Sequence, residues 1–254
     1  MTLPRGLRAV RGVGGALAFA APEVEAWVRG ALGRGEGLYE AATRDAATTL
    51  HGRGPVPVVA TPRGSWVVRR YRRGGRVAAP LLGDRYLRLG IARPVREARA
   101  SDEARRRGLA TPRVLAGAVY PAGAFYRADL VTEFVPDAVE LARLLFTEER
   151  DPAEREEALA GVGRLIARAA AVGVEHRDLN ARNVLIERHA GGTLPLLLDL
   201  DRCRVCPAGT SVRPDTMRAR LERSLRKHER ASGRPLAAAE WAALARAAAG
   251  PGAA

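Results

Sequence analysis

An α+β fold in two lobes, an antiparallel sheet first and a mainly helical half second, is what this sequence predicts. Three observations predict it. Runs rich in β-branched residues alternate with Gly/Pro turns up to Tyr71, and again between Val114 and Val135. After Pro136 the apolar residues recur at helical spacing instead. The change of pattern falls at residues 133–137, which reads as a hinge. On this reading residues 1–43 are an N-terminal extension, 44–135 a sheet lobe with one helix, and 136–254 a helical lobe.

Each element has its own signal. Ala46–Leu50, Val56–Ala60 and Ser65–Tyr71 read as strands, separated by His51-Gly52-Arg53-Gly54-Pro55 and by Thr61-Pro62-Arg63-Gly64. Pro94–Arg107 reads as a helix stopped by Gly108 and Pro112. Val114–Val119 and Ala128–Val135 form a strand pair around Pro121-Ala122-Gly123. Asp151-Pro152 starts a long helix, with Asp as cap, Pro at the first position and acids in the first turn. Leu159, Val162, Leu165, Ile166 and Ala169 then mark its apolar face. Two short strands, Val184–Ile186 and Leu194–Leu198, flank a Gly191-Gly192 turn, and the chain beyond Asp215 is Arg- and Ala-rich with helical periodicity.

Composition narrows the function classes. Apolar residues make up 47% and aromatics 5%, so the core is built from Ala, Leu and Val. No apolar run is long enough for a transmembrane helix, and the run Gly12–Ala21, although it follows three arginines, is too rich in Gly and Ala for a secretory signal. Both readings favour the cytoplasm. The net charge of +14 is uneven: residues 63–113 carry 15 Arg against 4 acids, whereas residues 114–209 carry 11 Arg against 15 acids. Such a basic block attracts polyanions or an anionic membrane face. Aromatic interleaving and nucleic-acid motifs are missing, so nucleic acid is not expected. Two cysteines, Cys203 and Cys206, exclude a disulfide framework by count and read as ordinary small core residues.

The chemistry concentrates in His176-Arg177-Asp178-Leu179-Asn180-Ala181-Arg182-Asn183. This is the pattern H-R-D-L-x-x-x-N, the catalytic loop of protein kinases, set between a long amphipathic helix and a short apolar strand. Sixteen residues beyond Asn183, Asp199 ends the run Leu196-Leu197-Leu198 as the aspartate of a kinase D-F-G does, although its third residue is Asp201. Phosphoryl transfer needs a group to accept the proton of the attacking hydroxyl, a role for Asp178. It also needs oxygen ligands for a hard cation, which Asn183 and Asp199 offer. His176 reads as a brace for the loop.

With Asp199-Leu200-Asp201-Arg202 and the upstream Arg69-Arg70-Tyr71-Arg72-Arg73-Gly74-Gly75, this neighbourhood resembles the lipopolysaccharide-core kinases, above all those acting on 3-deoxy-D-manno-octulosonic acid (Kdo). The likeness runs from about residue 45 to 205. It implies a protein-kinase-like two-lobed fold with ATP and Mg2+ as cofactors. It further implies transfer to a hydroxyl of a Kdo-bearing lipid A precursor, at the cytoplasmic face of the inner membrane. Glu97 then resembles the glutamate that orients the phosphate-binding basic side chain. The segment His51–Gly54, with Gly52, Arg53 and Gly54, looks like the loop covering the phosphates, and Glu133 lies where the adenine-facing hinge belongs.

The protein-kinase pattern has a lysine on the third strand, and residues 44–135 contain none. Arg69 is the expected replacement, with Arg70 the alternative because strand register decides which of them faces Glu97. Two rival readings remain: another kinase-fold phosphotransferase, with a heptose, protein or small-molecule acceptor, and a pseudokinase without catalysis. Asn180, Asp201-Arg202 and the missing A-P-E segment argue against a typical protein kinase. Asp178, Asn183 and Asp199 argue against a pseudokinase.

Overall fold

The computed structural model describes residues 3–51, 54–62, 64–72, 83–189 and 191–250. They fall into two units, Met1–Asp102 with Arg113–Phe134, and Glu103–Pro112 with Val135–Ala254.

The first unit is built on an antiparallel sheet. Its strands are β1 (Arg8–Arg11), β2 (Leu17–Ala20), β3 (Thr48–His51), β4 (Pro55–Thr61), β5 (Gly64–Arg70), β6 (Tyr86–Leu87), β7 (Val114–Ala122) and β8 (Phe125–Glu133). They lie in the order β1-β2-β7-β8-β5-β4-β3, with β6 paired to the start of β8. Helices α1 (Pro22–Gly33) and α2 (Leu38–Asp45) cover one face, and α3 (Arg93–Arg106) begins against the other.

Strand alternation decides what each face meets. Trp66, Val68 and Val131 point to one side, where they join Val24, Val28 and Leu38 of α1 and α2. Phe19, Leu130 and Tyr71 point to the other, where they join Val95 and Ala98 of α3. Between them Gly117 has no alternative. A Cβ there would lie 2.6 Å from the Phe19 ring and 2.8 Å from Pro94 Cβ, so the start of α3 rests directly on the strand.

Within residues 1–43, expected as an N-terminal extension, β1 and β2 are strands of the sheet and α1 packs on its face. Leu17–Ala20 pairs on both sides, with β1 and with β7, and is buried apart from Leu17. An Ala-rich strand carries little β-propensity of its own, so pairing and burial decide its conformation. The same residues lie in the apolar run that superficially suggested a secretory signal.

A buried polar cluster fastens α2 to the sheet. Asp129 of β8 is fully buried. Its carboxylate accepts from the Tyr39 N–H (3.0 Å), the Tyr120 hydroxyl (2.9 Å) and Arg70 Nε (3.3 Å). The Tyr120 oxygen in turn accepts from the Leu38 N–H at 2.7 Å, so two of the first amides of α2 are capped from the sheet. Burial pushes the Asp129 carboxyl above its usual range, and the three donors offset part of that rise.

The second unit contains β9 (Ala138–Glu140), α4 (Leu141–Phe146), α5 (Pro152–Ala171), β10 (Val174–Glu175), β11 (Val184–His189), β12 (Gly192–Leu197), β13 (Arg204–Val205), α6 (Pro214–Ser232) and α7 (Ala238–Ala249). Strands pair as β12-β11-β9 and as β10-β13, all antiparallel. Helix α5 starts as its sequence dictates, with the Asp151 carboxylate accepting from the Ala153 N–H at 2.7 Å. Its Gly163 lets α7 approach to backbone contact, since a Cβ would sit 2.7 Å from the Leu244 carbonyl oxygen. A part-buried ion pair, Arg155 to the buried Glu240 at 2.6 Å, joins the same two helices. Among the described residues no helix is long and apolar enough to cross a membrane.

The Asp129 cluster yields a stability test. Asp129→Ala leaves the Tyr39 amide and the Tyr120 hydroxyl short of a partner in a buried site. We expect a loss of about 3 kcal/mol in urea unfolding. An unchanged midpoint would show that the cluster does not hold α2.

Candidate active site

The expected chemistry is divided between the units. In the second, the segment His176–Asn183 leaves β10 and enters β11, and it is held mainly by side chains that bond backbone amides and carbonyls. His176 is completely buried. Its Nε2 lies 2.8 Å from the Leu198 carbonyl oxygen, and its Nδ1 lies 3.3 Å from the Asp178 amide nitrogen. A carbonyl can only accept and an amide N–H can only donate. The ring is therefore neutral, protonated on Nε2, and satisfied on both nitrogens. Burial holds its pKa below the usual 6.5, more strongly than the Leu198 carbonyl and the nearby carboxylates raise it.

The Asp178 carbonyl oxygen accepts from Asn180 Nδ2 at 2.9 Å and from Asn183 Nδ2 at 3.0 Å. Asn180 Oδ1 accepts from the Arg182 N–H at 3.0 Å, and the Asn180 carbonyl accepts from the Asn183 N–H at 2.9 Å. The Asn180 side chain thus ties the loop to itself at two points, as a short amide can and a lysine cannot. Every one of these bonds to Asp178 goes to its backbone, and the residue is exposed. Both asparagine amides are spent on the carbonyl, so the Asn183 Oδ1 is left as an acceptor.

Asp199 stands beside Asn183 because Val184 pairs with Leu197 and the Leu198 N–H donates to the Asn183 carbonyl at 2.9 Å. Its backbone is left-handed, with φ 59° and ψ 55°. Among the described residues Asp137 is the other non-glycine with positive φ. An aspartate tolerates this region better than most residues, and such strain gathers where a side chain must be aimed. One carboxylate and one amide oxygen suit Mg2+, which takes one or two protein oxygens and completes its shell from phosphates and water. Among the described residues no three His, Cys, Asp or Glu side chains form a preformed metal cluster.

In the first unit, Arg69 Nη2 lies 2.6 Å from Glu97 Oε1, and the Tyr71 hydroxyl donates to Glu97 Oε2 at 2.5 Å. Glu97 is buried on α3. Arg70, the alternative replacement for lysine, points to the opposite face and pairs with Asp129 and Glu40. Register thus separates the two arginines: Arg69 faces Glu97 and Arg70 does not. Glu133 ends β8, and its carboxylate accepts from the Arg113 N–H at 2.7 Å. Gly54 immediately precedes β4 and lies beside Arg72, while Gly52 and Arg53 lie outside the described residues.

Several contributors were not foreseen. Tyr71 follows Arg69 by two, so strand alternation alone puts both on one face. Met217, Ser224 and Arg107 gave no such signal. Met217 Sδ accepts from the His176 N–H, and Ser224 Oγ accepts from the Ala181 N–H. Arg107 Nη1 and Nη2 donate to the carbonyls of Val172 and Cys206 at 2.7 and 2.9 Å, on either flank of the catalytic segment. Among the described residues neither cysteine forms a disulfide.

Comparison with known proteins places this geometry. The family model "Lipopolysaccharide kinase (Kdo/WaaP) family" matches residues 39–247. The chain belongs to the lipopolysaccharide kinase (Kdo/WaaP) family. It is 38% identical over 178 residues to the 3-deoxy-D-manno-octulosonic acid kinase of Xanthomonas campestris pv. campestris strain B100, covering 69% of this chain and 68% of that one. A protein of the same name from Stenotrophomonas maltophilia strain R551-3 is 36% identical over 179 residues, with the same coverage. Among solved structures, WaaP in complex with acyl carrier protein matches 95% of this chain and 88% of its own. The TM-score is 0.53 at 18% identity, a likeness of fold. Membership of the lipopolysaccharide kinase family makes this a phosphotransferase acting on a hydroxyl group, with the use of ATP that a kinase family implies.

The His176 geometry predicts a pH dependence of stability. The unfolded chain takes up a proton at His176 below about 6.5, whereas the folded chain resists it. Stability is therefore full above that value and falls as pH falls. We expect the unfolding midpoint to drop between about pH 7 and pH 5.5, and His176→Gln, which cannot titrate, to show a shallower fall. Equal slopes in the two proteins would refute the assignment.

Proposed function

We propose that this lipopolysaccharide kinase transfers the γ-phosphate of ATP to a hydroxyl of Kdo on a lipid A precursor, with Asp178 as base. The substrate is inferred from the relatives that carry the name 3-deoxy-D-manno-octulosonic acid kinase, each aligned over about two thirds of this chain. The observation that carries the mechanism is the loop of Asp178. Its backbone is fully tied down while its carboxylate is exposed, which suits a group that must meet a proton in one position.

In the reaction the acceptor hydroxyl oxygen forms a bond to the γ-phosphorus. The bond from that phosphorus to the β,γ-bridging oxygen breaks, and ADP leaves with the electron pair. The hydroxyl proton passes to Asp178 Oδ. Arg69, oriented by Glu97 and Tyr71, clamps the donor phosphates in place of a lysine, with a fork that can bond phosphate and carboxylate together. Asn183 Oδ1 and the Asp199 carboxylate hold Mg2+, which when bound neutralises charge on the phosphates. Gly52, Arg53 and Gly54 cover the phosphates, and the hinge at Glu133 receives adenine. The acceptor is lipid-anchored, so the enzyme works peripherally at the cytoplasmic face of the inner membrane.

The deciding assay uses labelled ATP, magnesium and Kdo-bearing lipid A precursor, with the same lipid lacking Kdo as control. Label on the Kdo-bearing lipid alone is expected, and Asp178→Ala should reduce it about 10³-fold while nucleotide still binds. Tight nucleotide binding without label on either lipid would reject Kdo as acceptor. Asp199→Ala should abolish the magnesium dependence of ATP binding, and retained dependence would remove Asp199 from the metal site. Arg69→Lys should keep more activity than Arg69→Ala but less than the native enzyme; a lysine variant as inactive as the alanine one would show that the fork is indispensable.

A further inference from the structure

Five of the seven large apolar side chains exposed among the described residues belong to one end of the sheet in the first unit: Val13, Leu17, Leu87, Leu89 and Ile91. The pairing shows why they meet. Leu17 pairs with Val119, so the turn from β1 to β2 stands level with Tyr120 and Pro121, and a Cβ on Gly15 would lie 4.0 Å from Pro121. Leu87 pairs with Phe125, and the Arg88 N–H donates to the Ala124 carbonyl at 3.0 Å. The turn from β1 to β2, the hairpin from β7 to β8 and the chain leaving β6 therefore line up across β1-β2-β7-β8-β6, a rim about 20 Å wide at the usual strand spacing. It lies at the end of β8 away from Glu133.

Leu89 is 79% exposed and Val13 64%, values that a side chain packed against its own fold does not reach. Gly90, at φ 70°, turns the chain between Leu89 and Ile91. Arg11 and Arg88 stand among these residues, exposed and, among the described residues, outside any ion pair, whereas Arg127 shares a hollow with Glu36 and Glu40 and feels the charge of Glu40. Leucines and isoleucine at the tip with arginines behind them suit a surface that is apolar within and anionic at its boundary. An apolar protein groove would satisfy the leucines and leave Arg11 and Arg88 without partners.

We propose that this rim is the surface by which the enzyme docks on an anionic lipid bilayer, with Leu89 and Ile91 entering the acyl boundary and Arg11 and Arg88 meeting lipid phosphates. The proposal deepens the reading of the chain as a kinase of a lipid-anchored sugar.

It is tested by flotation of the purified protein with phosphatidylethanolamine–phosphatidylglycerol vesicles and with phosphatidylcholine vesicles, both free of substrate and nucleotide. Binding is expected to the anionic vesicles and to weaken in high salt. Leu89→Glu with Ile91→Glu, and separately Arg11→Glu with Arg88→Glu, should each weaken it about tenfold or more. Leu194→Glu, at an exposed leucine in the other unit, should not. Transfer to a deacylated, water-soluble acceptor should match the native enzyme in all these variants. Failure of the native protein to bind anionic vesicles, or equal binding by the rim variants, overturns the proposal. Vesicle binding by a protein that phosphorylates no Kdo acceptor would uphold the rim and reject the sugar-kinase reading instead.

Discussion

The imidazole of His176 joins the two segments that carry Asp178 and Asp199. It is neutral, out of water, and bonded to the Leu198 carbonyl on one nitrogen and the Asp178 amide on the other. Those partners immediately precede Asp199 and include Asp178 itself, so one rigid ring sets the distance between the two acidic positions. A protonated ring would need an acceptor where the Asp178 amide stands, and the loop would lose its support. The rest of the segment is arranged around this bridge: Asn180 and Asn183 secure the Asp178 carbonyl, and Ser224 and Met217 of α6 secure the amides of Ala181 and His176.

Arginine does structural work here that lysine could not. Arg107 reaches two backbone carbonyls and Glu103 with one guanidinium, Arg155 joins Glu240 and the Leu145 carbonyl, and Arg70 joins two acids. Each uses several directed donors of a planar fork at once. The Arg69–Glu97 pair belongs with this pattern. A buried glutamate that accepts from both Arg69 and Tyr71 fixes one edge of the guanidinium.

How much was legible in the sequence followed from how local each signal was. The two-lobed fold class could be read from turn punctuation and helical spacing, and the catalytic segment from eight contiguous residues. The Arg69–Glu97 pair joins residues 28 apart. Its members could be named from the resemblance, but the choice between Arg69 and Arg70 required the register of β5 against β8. Strands β1 and β2 escaped notice because Ala-rich segments fold as strands by tertiary pairing, not by propensity. Met217 lies 41 residues from His176 in the chain and offered no pattern to find.

The left-handed backbone at Asp199 also constrains how this protein could change over evolutionary time. Most side chains would add backbone strain there on top of losing the carboxylate, whereas Asn and Gly adopt the same conformation readily. A lineage that abandoned phosphoryl transfer but kept the fold would therefore drift most easily to Asn or Gly at 199, leaving a recognisable mark of lost catalysis in an otherwise intact structure.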